Sequence, residues 1–131
     1  MADSLVTLSS PRGSLVFKET AATSTLEQDV FAKGGATIYA IKVDATQNTG
    51  EDVYLAIYEN TSATASGLTV GTHHPITVVK CAGGKTVEGL IHAGIAATNN
   101  TSYLQACVKQ SAGTAGNSSP TGTVSITLLG G

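Results

Sequence analysis

The sequence predicts an all-β protein, a single antiparallel β-sandwich of jelly-roll or immunoglobulin-like type with about eight or nine strands. Three observations predict it. Short segments rich in β-branched, aromatic and Thr residues alternate with clusters of Gly, Asn, Ser and Pro along the whole chain, as expected when each strand ends in a turn. Several of these segments alternate apolar and polar residues, which sets one face on a core and the other in water. A length of 131 residues suits one domain, enough to bury roughly two thirds of the surface of the unfolded chain.

The first two runs, Ser4 to Leu8 and Ser14 to Lys18, are short and are interrupted by Pro11-Arg12-Gly13. Residues 1–30 are therefore expected to form an extended N-terminal arm or edge strands, and residues 31–131 the sandwich domain. Further strands are predicted over Leu26 to Ala32, Ala36 to Asp44, Asp52 to Glu59, Pro75 to Cys81, Thr86 to His92, Ser102 to Gln110 and Gly122 to Leu129. The last has the clearest alternation, with Val124, Ile126 and Leu128 on one face and Thr123, Ser125 and Thr127 on the other. Leu104, Ala106 and Val108 make a similar stripe, leaving Tyr103, Gln105, Cys107 and Lys109 for the wet side. Between Asp44 and Asp52, the Asn and Gly of Ala45-Thr-Gln-Asn-Thr-Gly-Glu51 predict a hairpin turn, and Ala82-Gly83-Gly84-Lys85 predicts a second. Two long loops, Asn60 to His74 and Ser111 to Thr121, are too small and polar to build a core and belong at the periphery.

Charged residues make up only 12 % of the chain, and seven Lys and Arg against nine Asp and Glu leave a net charge of −2. Arg12 is the only arginine. Phosphate-dependent nucleic-acid binding is poorly supported by such a balance, and a sparsely charged surface favours association. The longest apolar runs, such as Val53 to Tyr58, fall far short of the roughly 20 residues of a membrane helix. The opening Met-Ala-Asp-Ser-Leu-Val-Thr-Leu has neither the basic nor the apolar region of a secretory signal, so no export is expected. Asn60, Asn99, Asn100 and Asn117 begin glycosylation sequons that would then stay bare. Cys81 and Cys107 have neither metal-ligand nor redox spacing; two buried thiols are expected, with a disulfide left open should their strands be neighbours.

The chemical candidates fail one by one. Gly83-Gly84-Lys85-Thr86 ends like a phosphate-binding loop, but Val79 stands where the earlier glycine is needed and no helix start follows. His73 and His74 are adjacent, so in extended chain they point apart and chelate poorly. Glu51-Asp52 and Glu27-x-Asp29 are close carboxylates, yet Glu51 and Asp52 flank a turn, where acids solvate more often than they catalyse. No Gly-x-Ser-x-Gly elbow is present. Tyr39, Tyr54, Tyr58 and Tyr103 suit the rim of a core with their hydroxyls in water better than a stacking platform. No catalytic residue, cofactor or metal is expected, and the chain is expected not to be an enzyme.

From Asp52 to Leu129 the sequence runs Val53-Tyr-Leu-Ala-Ile-Tyr-Glu-Asn60, Thr69-Val-Gly-Thr-His-His-Pro75, Cys81-Ala-Gly-Gly-Lys-Thr-Val87 and Gly94-Ile-Ala-Ala-Thr98. It continues with Leu104-Gln-Ala-Cys-Val108 and Gly113-Thr-Ala-Gly-Asn-Ser-Ser-Pro120. In layout and loop style this order resembles small β-sandwich virion proteins of tailed bacteriophages, which decorate or cement capsids or sit in tails. The resemblance implies a structural role on the virion's capsid surface after synthesis in the host cytoplasm. Its partners would be the major capsid protein or other virion proteins and further copies of itself, as a trimer or dimer, without nucleic acid or membrane. It offers no motif from which individual roles transfer. Contacts are expected from the arm and loops: Leu5, Val6, Leu8, Arg12, Leu15, Phe17, Leu68, His73, His74 and Asn117. The alternative is a tail-associated or receptor- or carbohydrate-binding sandwich, using the loops or the Tyr-bearing face.

Overall fold

The computed structural model describes residues 15–27, 30, 31 and 33–131. Seven strands form over them: β1 Leu15–Glu19, β2 Thr37–Gln47, β3 Val53–Asn60, β4 Thr77–Cys81, β5 Thr86–Ala96, β6 Tyr103–Lys109 and β7 Thr123–Gly130. They build two antiparallel sheets, one ordered β1-β7-β2-β5 and the other β4-β3-β6. The described residues contain no helix, so the predicted all-β sandwich is what the chain forms.

Alternation dictates the core. Ile38, Val43, Val124, Ile126 and Leu128 from the first sheet pack with Val53, Leu55, Ile57, Leu104, Ala106 and Val108 from the second, all fully or almost fully buried. Each large aliphatic side chain contributes about 1.5–3 kcal/mol by leaving water. In β5, residues 91–94 bulge against β2 between the pairs Ile38↔Ile95 and Ala40↔Leu90. Gly94 permits the bulge: its φ is 81°, and a Cβ there would stand 2.5 Å from the Thr37 Cγ2.

The predicted pairings need correction. Both turns read as hairpins instead carry the chain from one sheet to the other, because β2 and β3 lie in different sheets, as do β4 and β5. β3 and β4 are the one pair of consecutive strands that are hydrogen-bonded neighbours among the described elements. Ser4 to Leu8 lies outside the described residues. Over Leu26 to Ala32 the described residues hold no strand, only the isolated bridge Glu27↔Ala106. Leu26, Val30 and Phe31 are buried there. Thr23 and Glu27 accept hydrogen bonds from the Val108 and Ala106 amides, at 2.9 and 3.1 Å, so residues 23–27 cover the free edge of β6.

The described part of the first 30 residues is thus built into the sandwich. β1 pairs with β7 along its whole length, and Leu15 and Phe17 pack on the core, so the sandwich begins no later than Leu15. An immunoglobulin sandwich would place the first, second, fifth and fourth strands in one sheet. Here the seventh lies between the first and second, and the fourth belongs to the other sheet. Counting residues 23–27 as a vestigial strand beside β6, the two sheets have the double Greek-key connectivity of a jelly roll.

Candidate functional site

The outer face of the three-stranded sheet, expected to be wet on β6, is dry. Gln105, Cys107 and Lys109 are fully buried, as are Ala56 and Tyr58 of β3, because the two long loops fold over them. Leu68, Val70 and Ala65 of the first loop pack with Leu26, Ala56, Tyr58 and Cys107. Loops without strands leave main-chain carbonyls that need donors, and three buried polar side chains supply them. Asn60 Nδ2 donates to the carbonyls of Thr64 and Ser66, each at 3.1 Å, and Gln105 Nε2 donates to those of Ser62 and Thr64 at 3.0 and 2.9 Å. Lys109 Nζ donates to the carbonyls of Gly113, Thr114 and Gly116 at 2.7, 3.3 and 3.1 Å. The ammonium thereby gathers the second loop around itself.

The loops also meet each other. His74 Nδ1 bonds the Thr114 hydroxyl, and Gly71 lies against Gly116 and Asn117. His73 Nδ1 accepts the Thr69 amide at 2.9 Å. His73, His74 and Asn117 are exposed on this layer, whereas Leu68 is half-buried and turned inward. Leu5, Val6, Leu8 and Arg12 lie outside the described residues. Tyr54, Tyr58 and Tyr103 share this side of the sheet, but Tyr58 is fully buried, contrary to a rim position. Its hydroxyl makes no hydrogen bond, and burial, with the neighbouring Cys107 thiol, pushes its pKa up to about 12. Both thiols are free and buried; β3 separates their strands, and they belong to different clusters, Cys81 in the core between the sheets and Cys107 under the loops.

The residues that looked like chemistry form a structural corner where chain passes between sheets. Asn48, 1 % exposed, donates from Nδ2 to the Glu51 carbonyl at 3.0 Å and accepts the Gly122 amide at 2.7 Å on Oδ1. The Gly84 amide donates to the carbonyls of Asn48 and Ala45, both at 3.0 Å, and the Gly83 amide to Asp52 Oδ1 at 3.1 Å. Amides that might have cradled a phosphate are therefore already bonded within the chain. Glu51 accepts the Thr121 amide and hydroxyl at 3.0 and 2.7 Å, and these bonds hold its pKa below the usual carboxylate range. The Gly83 amide, then Lys80 at 3.4 Å, does the same for Asp52. Among the described residues no three His, Cys, Asp or Glu side chains are grouped to hold a metal ion.

Among the described residues nothing covers the outer face of the four-stranded sheet. Register places Leu90, Ala40, Leu129 and Val16 in one row across β5, β2, β7 and β1, and Glu88, Lys42, Thr127 and Lys18 in the next. Leu90 is 87 % and Val16 67 % exposed. A shallow groove of about 290 Å³ lies over Ala40, between Leu90 and Leu129. A second, of about 240 Å³, is lined by hydroxyls and by Lys18 and Asp44 at the polar end of the face. Sequence reasoning missed this row because its members come from four segments, each presenting a single apolar residue among polar ones on its outward face. No family model, no curated protein and no solved structure matches the chain.

Proposed function

We propose that this chain is a non-enzymatic virion structural protein, a capsid decoration or cement protein that stabilises the phage head through its loops and the residues ahead of β1. The fold alone serves capsids and lectins alike, so the weight falls on the loops. The carrying observation is that both long loops are fastened to the sandwich by the buried side chains of Asn60, Gln105 and Lys109. A neutral surface held in shape in this way loses little conformational entropy on binding, which suits a protein that caps a fixed lattice. His73, His74 and Asn117 stand on that surface, and Leu5, Val6, Leu8 and Arg12 come before β1 in the sequence. Leu15, Phe17 and Leu68 serve packing in this reading instead of contact. The partners are the major capsid protein or other virion proteins and further copies of the chain.

Occupancy on capsids lacking the protein tests the proposal. Deleting residues 1–13, and separately changing His73, His74 and Asn117 to Glu, should each lower occupancy at least about tenfold, equivalent to about 1.4 kcal/mol. Full occupancy by both variants, or no binding by the unmodified chain, would overturn it.

A further inference from the structure

We infer that the open face of the four-stranded sheet is an isologous interface, on which a second copy of this chain packs face to face about a two-fold axis. The axis runs parallel to the strands, between β2 and β7. The inference deepens the homo-oligomer part of the proposed function and rests on that part alone. Rotation about such an axis keeps each residue's level along the strands and reverses the strand order, so β5 faces the partner's β1 and β2 faces the partner's β7.

The row order is self-complementary under that operation. Leu90 meets the partner's Val16, which covers the two most exposed large apolar side chains of the face. Ala40 meets the partner's Leu129, so the groove over the small residue receives the large one. One level along, Glu88 meets the partner's Lys18, and the symmetry repeats each contact. Single exposed leucines are ordinary. A continuous apolar row bordered by a row whose Glu88 and Lys18 pair across the axis, with Lys42 opposite the partner's Thr127, is a surface that fits itself.

The face is four strands wide, about 14 Å, and about three rows high, again about 14 Å. That is well below the roughly 800 Å² per partner of a standard interface, so the dimer is weak, with a dissociation constant on the order of micromolar to hundreds of micromolar.

Sedimentation velocity of the purified full chain from about 1 µM to about 1 mM reads it out. The expected result is a mass rising with concentration from 13.2 kDa towards twice that value. Leu90→Asp should abolish the rise. Lys18→Glu and Glu88→Lys should each weaken association at least about tenfold by setting like charges opposite each other, and the double variant should restore it to within about threefold. All these side chains are exposed, and circular dichroism checks that each variant stays folded. A chain monomeric throughout, or a dimer indifferent to Leu90→Asp or unrescued by the double reversal, overturns the inference. A monomer whose Leu90→Asp variant loses capsid occupancy would assign the face to a capsid partner, overturning the dimer while leaving the decoration role standing.

Discussion

Four buried polar side chains on the loop-covered face show how differently single residues can meet the same burial. Asn60, Gln105 and Lys109 hold loop carbonyls with their donors. The Tyr58 hydroxyl, equally buried, holds nothing. A buried polar group without a partner costs about 1–3 kcal/mol, so its removal should help. Tyr58→Phe is expected to leave the fold intact and raise the unfolding free energy by about 0.5–1.5 kcal/mol, measured by urea titration. A loss of stability would mean that the hydroxyl bonds the Cys107 thiol in solution. Burial, with the neighbouring Cys107 thiol, also keeps the tyrosine protonated to about pH 12, and burial pushes the Cys107 thiol to about 11. Asn60 begins a glycosylation sequon, but its amide nitrogen is occupied by the loop carbonyls, so a glycan there would release the loop.

At the scale of elements, the corner around Asn48 explains both what could be read in advance and what could not. Alternation located β2, β6 and β7, because side-chain period and burial share one cause. It could not say which strands pair: Asn48 and Gly83-Gly84 signal a reversal of the chain, and a reversal into the opposite sheet uses the same turn residues as a hairpin. The loop-covered face was illegible for a related reason, since Gln105 and Lys109 find their partners in main-chain carbonyls, which leave no mark on side-chain pattern. The residues expected to make contacts lie in different settings. His73, His74 and Asn117 come together where the loops meet, while Leu68 turns inward because an apolar residue in a polar loop is its natural anchor. The corner also has an acid signature. Glu51 and Asp52 have pKa values below their ordinary 4.5 and 3.8, so their contribution is present above those values and is lost as pH falls through the lowered folded-state values. Both are exposed, so the effect is small. Stability should fall below about pH 4.5, and Glu51→Gln should flatten that fall in the pH dependence of the urea midpoint. An unchanged slope would show that the Thr121 contact does not persist in solution.

For the whole molecule, strand order sets how it folds and how it bears load. Apart from β3 and β4, every neighbouring pair joins strands that are not consecutive, and β7 lies between β1 and β2. Loop-closure entropy must be met before such contacts form, which places folding in the millisecond-to-second range. Stopped-flow refolding should find it there, and a chain ending at Pro120, which lacks β7, should not fold at all by circular dichroism. Microsecond refolding, or a folded truncate, would contradict the topology. The β1–β7 pairing has a mechanical consequence as well. Leu15 lies opposite Gly130, so a pull applied at these two residues loads the antiparallel ladder from one end and opens its hydrogen bonds in turn, like a zip. The sandwich is weak to tension through its ends, whereas a force spread over the sheet face and loops is shared by many contacts at once.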